Sequence, residues 1–321
     1  MAKFYEYPNH ASVLAAHPQF DWIAVVDPDA EARERAGRDW NVGVTVPAVE
    51  SLPDPQSYDI AVVATKPDVR LEALKALPSL RGALIEKPVG ETLEQARAII
   101  SLCRERNIIT AVNLFRRAEK TCRRLAASGF AELVGRVQFA SVLYGRGLRN
   151  NAVHMVDLVR MLGEEIVAVR ALGPVRQTSS PIPGDGEVSA ALDLRGGGTA
   201  CLHPLDFGCY RDVLVDFWGT RGRLEIFQEG LYLRHSPCRP HRAMEDMSEV
   251  ALDEARVEAT SCGRAYFDMY TNLADAVNGT GQLHSPLDEA LRSEAVIEAI
   301  LDSARNGGSR ISLSGPGPSA L

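Results

Sequence analysis

Along the first third of the chain, short unbroken apolar runs alternate with stretches of helical period. The runs at 22–26, 59–64, 83–85 and 108–112 lack polar alternation, the pattern of parallel strands covered on both faces. Between them Asp29 is placed to cap a helix running towards Gly37. Thr92 with Gln95 reads as a capping box ahead of a helix over 96–106. The order predicts a doubly wound α/β sheet over 1–113, Rossmann-like in its rhythm.

After Asn113 the rhythm changes. A helix around 118–128 leads into strands with alternating patterns at 134–144, 166–172, 188–194, 213–218 and 223–227. Thr220-Arg221-Gly222 and Gln228-Glu229-Gly230 read as hairpin turns. One helix, 152–162, interrupts the strands, and 177–186 is a loop rich in Ser, Pro and Gly. Helices at 265–277 and 287–304 precede a short strand at 310–313. The segment 114–314 is therefore expected to be an α+β domain with a mostly antiparallel sheet. Residues 315–321 are expected to form a disordered tail.

Composition narrows the classes. The chain has 321 residues, 45% apolar and 24% charged, the balance of a soluble globular protein of two domains. A net charge of −7 argues against nucleic acid or an anionic membrane as partner. No run is long and apolar enough to span a bilayer, and the N-terminus lacks a secretory pattern. Six scattered cysteines with no C-x-x-C pair read as reduced thiols, which points to the cytoplasm.

Leu84-Ile85-Glu86-Lys87-Pro88-Val89-Gly90 carries the strongest chemical signal. Lysine is seldom buried, and this one ends a core strand, where open α/β sheets bind ligands. Asp27 ends an earlier strand and opens a helix through Pro28 and Asp29. An acid there hydrogen-bonds ribose hydroxyls in dinucleotide-binding units, although Asp-Pro is also ordinary turn chemistry. The G-x-G-x-x-G turn expected ahead of it is absent, and Lys3–Tyr7 makes a poor strand. Omitting a central strand would leave two facing strand edges without partners. Either Met1 is an internal methionine just past the glycine turn, so that 8–16 is the first helix, or the chain is truncated and its terminus rearranged.

In the second half, His154 and Asp157 share one helix face, with Asn150 a turn earlier. They read either as a solvated stripe with Arg160 or as a ligand face offering a neutral-range imidazole. No third group stands at metal-ligand spacing, so no metal is expected. Arg116, after Asn113 at a strand end, suits hydroxyl-rich or anionic substrates.

Together these segments resemble the family of glucose–fructose oxidoreductase, inositol dehydrogenase and related sugar dehydrogenases. The likeness lies in Ala24-Val25-Val26-Asp27 after His17-Pro18, Val62-Val63-Ala64-Thr65, Glu86-Lys87-Pro88, Val112-Asn113 with Arg116-Arg117, and Val153-His154-Met155-Val156-Asp157-Leu158. Gly219-Thr220-Arg221-Gly222 also fits. The resemblance implies an NAD(P)-binding domain, a C-terminal sheet domain that often forms oligomers, Lys87 at the reacting oxygen and His154 as proton-handling partner. Asp27, Thr65, Pro67, Glu86, Lys87 and Asn113 are then the cofactor-binding candidates. Lys87, His154 and Asn150 are the catalytic ones. Arg116, Tyr144 and Asp157 are the substrate-binding ones, with Arg116, Tyr144, Asn150 and His154 facing a crevice. Three positions depart from the family pattern: the missing glycine fingerprint, Asn150 where many members carry aspartate, and Arg70 where histidine is common.

The leading expectation is a cytoplasmic oxidoreductase, a homodimer or homotetramer, that passes hydride between NAD and a polyhydroxylated small molecule. The acid at Asp27 favours NAD over NADP. A cofactor-free binding or regulatory subunit, or a lyase or isomerase using transient redox, are the other readings.

Overall fold

The computed structural model describes residues 5–313 and divides into two compact units. One contains the chain up to Ala118 together with Gly263–Leu291. The other contains Glu119–Cys262 and the chain from Arg292 onward. The chain passes between units three times, where the change of rhythm after Asn113 suggested a single passage. The helix Ala265–Val277, which sequence order would assign to the second half, is part of the first unit.

The first unit holds five parallel strands: β1 (Ala24–Val26), β2 (Val44–Val46), β3 (Ile60–Val63), β4 (Gly82–Ile85) and β5 (Ile109–Val112). They form two separate ladders, β1 with β2 and β3-β4-β5. Among the described residues no strand joins the two ladders. Side chains bridge the break: Ala24, Val26, Val44 and Val46 pack against the core that contains Val63 and Ile85. β4 is buried along its whole length, as a strand covered on both faces must be. On one face lie the helices Pro67–Lys75 and Leu93–Glu105, through Leu74, Ile99 and Ile100. On the other, Leu84 and Ala111 meet Met269, Tyr270 and Leu273 of the returning helix.

Local signals act largely as the sequence implies. Asp29 caps the helix Ala30–Trp40 by accepting from Glu31 N, but the helix runs past Gly37 and ends at Asn41, φ 56°. Asparagine tolerates the left-handed cap that closes a helix. Thr92 Oγ1 accepts from Gln95 N, opening Leu93–Glu105, while Gln95 Oε1 takes Glu91 N, one residue ahead of the cap itself. The predicted first helix shrinks to His10–Leu14, capped by Asn9. β2 was not anticipated. The predicted tail 315–321 lies outside the described residues.

The second unit is built on a ten-stranded sheet. Its strands are β6 (Val137–Tyr144), β7 (Ile166–Ala171), β10 (Ala190–Leu194), β11 (Thr199–Pro204), β12 (Leu214–Gly219), β13 (Gly222–Phe227), β14 (Tyr232–Pro240), β15 (Ser248–Val250), β16 (Arg256–Ala259) and β17 (Ile311–Ser312). A small hairpin of β8 (Arg176–Gln177) and β9 (Gly186–Glu187) stands apart. The sheet order is β15-β14-β13-β12-β6-β11-β10-β7-β17, with β16 on β14, and only β6–β11 is parallel. Sequence reading missed β11, β14, β15 and β16. β14 carries two prolines, which read as strand breakers, yet it pairs with β13 on one side and with β15 and β16 on the other. The helix Val153–Leu162 packs on the sheet's buried face through residues such as Val156, Leu158 and Val159. The opposite face exposes Phe139 and Trp218, directly paired across β6 and β12, beside a ladder of Asp216, Arg223, Glu225 and Arg234.

Candidate active site

In the first unit, the carboxyl ends of the parallel strands gather most of the predicted cofactor residues on one edge. Asp27 follows β1, Thr65 follows β3, Glu86 and Lys87 follow β4, and Asn113 follows β5. Ligands of open α/β sheets bind at this edge. Pro67 instead opens the helix Pro67–Lys75, where its missing N–H costs nothing.

The Glu86-Lys87-Pro88 turn, with a cis Lys87–Pro88 bond, is held from beneath by Arg70. Arg70 is 2% exposed. Its guanidinium donates to Thr65 O at 2.7 and 3.1 Å, to Val89 O at 3.3 Å, and to Glu86 O and Pro88 O. Arg70 is therefore the clamp of the lysine's own turn. Rigid main chain on both sides of Lys87 fixes where its stem emerges, which a positioned proton donor requires.

Above the turn lies a polar cluster that the sequence did not reveal. Glu86 Oε1 accepts from Asn113 Nδ2 at 2.6 Å and lies 2.8 Å from His10 Nε2. His10 Nδ1 lies 2.8 Å from the Tyr270 hydroxyl, and Asn113 Nδ2 also reaches the Tyr266 hydroxyl at 2.9 Å. Burial alone would push the Glu86 carboxyl up. Hydrogen bonds from His10 and Asn113, with the charges of His10 and Lys87, outweigh it and hold Glu86 below the ordinary carboxylate range. Burial and then the Glu86 charge push both tyrosines up, so each stays a neutral hydroxyl. Asn113 Oδ1 is buried and accepts no hydrogen bond among the described residues. A buried acceptor with no donor is costly, and its place at the end of β5 fits the N–H donors of a carboxamide.

That orphan bears on whether the residues present fit a nicotinamide dinucleotide. At the adenosine end, the Asp27 carboxylate is half-buried and accepts from Asp29 N at 2.9 Å, which fixes its direction. Arg33 donates to the carbonyls of Asp27 and Pro28, and Arg35 pairs with Glu31. Asp27 and Asn113 thus suit the two ends of NAD. A glycine-rich cradle for the pyrophosphate is not among the described residues.

In the second unit, Asn150 and His154 lie on one continuous segment. It begins as a π-helical turn, Leu148–Ala152, in which Ala152 N reaches back to Gly147 O at 3.2 Å, and continues as Val153–Leu162. Such turns are frequent at functional sites. Asp185, from the loop ahead of β9, accepts from Arg149 N and Asn150 N, both at 3.1 Å, and so caps this start from outside. Asn150 Nδ2 donates to Arg146 O at 3.0 Å. His154 is half-buried, among neighbours that are fully buried.

Two predicted substrate residues need correction. Tyr144 is fully buried, and its hydroxyl both donates to Val188 O at 2.8 Å and accepts from Val188 N at 3.0 Å. It tethers β6 to the start of β10 and presents no polar group to a ligand. Asp157 is 2% exposed, accepts from Ser293 Oγ at 2.8 Å and lies 3.9 Å from Arg160. Arg160 in turn forks onto Glu165 at 2.7 and 2.9 Å. Residues three apart do share a helix face, but this side of it packs into the core against the helix Leu287–Arg305. Arg116 is 8% exposed, with its guanidinium 4.6 Å above the Phe115 ring. Among the described residues no cluster could hold a metal ion, and no helix is long and apolar enough to cross a membrane.

Residues 3–114 match the family described as an oxidoreductase family with an NAD-binding Rossmann fold. No curated protein sequence matches the chain. Several solved structures share its fold. A putative myo-inositol dehydrogenase from Sinorhizobium meliloti is 18% identical with a TM-score of 0.74, covering 95% of both chains. The WlbA dehydrogenase from Bordetella pertussis, solved with NADH and UDP-GlcNAcA, is 20% identical with a TM-score of 0.73, again covering 95% of both. A levoglucosan dehydrogenase solved with NADH and L-sorbose is 17% identical with a TM-score of 0.76 over 95% of both. Likeness at this identity establishes the fold, a Rossmann-like domain followed by a mostly antiparallel sheet.

Proposed function

We propose, from the match of residues 3–114 to an oxidoreductase family with an NAD-binding Rossmann fold, that this chain is a dehydrogenase or reductase acting on a CH–OH or C=O group of a polyhydroxylated small molecule. The observation that carries this reading is the Lys87 turn, clamped by Arg70 and flanked by Glu86 and Asn113 at the carboxyl ends of β4 and β5. NAD, held by Asp27 at one end and Asn113 at the other, supplies the carbon that gives or takes hydride. The chain's own residues handle position and protons. The Lys87 ammonium donates to the reacting oxygen and stabilises the alkoxide character that develops there. His154 exchanges the proton with solvent, and Asn150, which cannot itself carry one, orients it.

NAD is the proposed cofactor rather than NADP. Asp27 sets a carboxylate beside the 2′ position, and the two nearby arginines that could receive a phosphate are engaged, Arg33 on carbonyls and Arg35 on Glu31. A homodimer or homotetramer in the cytoplasm belongs to the same reading, supported by the open sheet face with Phe139 and Trp218. Light scattering that returns a monomer at micromolar concentration would remove the oligomer.

A second reading has one observation in its favour, the unjoined ladders of β1–β2 and β3-β4-β5. A family member that binds no cofactor and acts as a binding subunit would tolerate that break. Calorimetric titration of the purified chain with NADH separates the two. Saturable binding, and loss of turnover in Lys87→Met by roughly 10²–10⁴ with melting temperature unchanged, are expected of the enzyme. No heat with NADH or NADPH leaves the binding subunit.

A further inference from the structure

A cavity lined only by residues of the sheet unit lies apart from the Lys87 turn in the chain. It is a half-open cleft of about 700 Å³, within the roughly 300–1,000 Å³ typical of small-molecule sites. Its walls are the turn after β6, the β8–β9 hairpin and the segment that follows β11. Arg146, Arg176, Glu187, His203, Asp206 and Phe207 supply its charged and aromatic side chains.

The charges in this wall are unequally satisfied. Glu187 Oε1 accepts from Thr178 Oγ1 at 2.6 Å and from Gly147 N at 3.3 Å. Asp206 accepts from Gly208 N at 2.8 Å and from the Cys209 thiol. Both acids thus receive hydrogen bonds from within the protein. The arginines do not meet matching acceptors. Arg176 stands directly opposite Glu187 across the β8–β9 ladder, yet forms no ion pair with it. Arg146 makes a single long contact, Nε to Ser179 O at 3.4 Å, and pairs with no carboxylate among the described residues. Each guanidinium is a fork of N–H donors suited to a carboxylate or phosphate.

The main chain is bent to present Arg146. Its φ is 57°, a conformation uncommon outside glycine, and it sits between Gly145 and Gly147. A Cβ on Gly145 would lie 2.6 Å from Phe207 and 2.7 Å from Leu205 O, and one on Gly147 would lie 1.9 Å from Asp185. Backbone held in such a conformation by its surroundings is characteristic of ligand clamps. The carbonyl of Arg146 is also the acceptor for Asn150 Nδ2, at the start of the segment that carries His154.

We propose that this cavity seats an anionic group of the substrate, a carboxylate or a phosphate ester, so that the polyhydroxylated molecule is a sugar acid or a sugar phosphate rather than a neutral polyol. The substrate part of this inference rests on the dehydrogenase reading. The anion site itself does not. The probes are D-gluconate, inorganic phosphate and neutral D-glucitol, titrated calorimetrically into the full chain without NAD at low ionic strength. Gluconate or phosphate should bind at least tenfold more tightly than glucitol, and the tighter of the two identifies the anion. Arg176→Gln, a change at an exposed position, should weaken that binding by about tenfold, as loss of one charge-assisted fork does. Arg146→Gln should do the same or more if its circular dichroism matches wild type. Equal affinity for gluconate and glucitol, or anion binding unchanged in Arg176→Gln, overturns the site. Failure of NADH to bind while the anion still binds removes the dehydrogenase reading and leaves this one standing.

Discussion

Replacing Arg70 by methionine tests the central claim about the Lys87 turn. The substitution keeps an unbranched apolar stem and removes every donor. Arg70 satisfies four carbonyls, those of Thr65, Glu86, Pro88 and Val89. A hydrogen bond from a charged group contributes about 1.5–3 kcal/mol, and a buried acceptor left without a donor costs about 1–3 kcal/mol. Thr65 is exposed and Glu86 and Pro88 are half-buried, so water can replace part of the loss, while Val89 is 1% exposed and cannot be rehydrated. Two effective bonds lost puts the penalty at about 3–6 kcal/mol, a large share of the roughly 5–15 kcal/mol that stabilises a typical fold. Urea unfolding followed by tyrosine fluorescence, with Tyr266 and Tyr270 on the same cluster, would measure it. Arg70→Lys should recover only part, because an ammonium cannot span the four carbonyls at once. Turnover per folded molecule should also drop in Arg70→Lys, since the turn that aims Lys87 loosens. A penalty below about 1 kcal/mol in Arg70→Met, with turnover intact, would show that the turn holds itself and that Arg70 only fills space.

Other outcomes follow from the same geometry. Because the folded Glu86 carboxyl lies below its unfolded value of about 4.3, it contributes stability that is present above that pH and lost as pH falls through the folded value. The stability difference between wild type and Glu86→Gln should therefore shrink in urea titrations run from pH 6 down to about pH 3, and a pH-independent difference would contradict the carboxylate's role. Tyr144→Phe should destabilise by about 1–3 kcal/mol and leave substrate KM unchanged. A raised KM at wild-type stability would restore Tyr144 to the substrate site. Asp27→Ala should erode the preference for NAD over NADP in kcat/KM, and a wild-type preference for NADP would refute the assignment of Asp27.

Four of the five strands of the first unit and the Lys87 motif were legible because both are local, whereas β2 (Val44–Val46) was not. Unbroken apolar runs mark strands buried on two faces, and a lysine and proline at the end of one mark a ligand edge. The supporting residues were not legible, since their partners are distant in sequence or belong to the main chain. Arg70 meets carbonyls that any sequence would supply, and His10 meets Glu86 and Tyr270 across long chain separations. Tyr144 could have been placed correctly. It shares strand parity with Ala140 and Val142, both fully buried, while Phe139 of the other parity is exposed. Asp157 was harder, because an i, i+3 relation to His154 says that two residues share a face but not which neighbour covers it. β14 was hidden by its prolines.

The chain's repeated passage between units has a consequence for anyone dissecting it. The first unit is not a contiguous stretch of gene. A clone stopped at Ala118 would carry the Lys87 turn but not Tyr266 or Tyr270, stranding His10 and Asn113. It would also bare Leu84 and Ala111, which Met269 and Leu273 now cover. Such a fragment should precipitate rather than fold. To stand alone, this half must be rewired, with Ala118 spliced through a short linker to Gly263–Leu291, so that the returning helix arrives by a new covalent route.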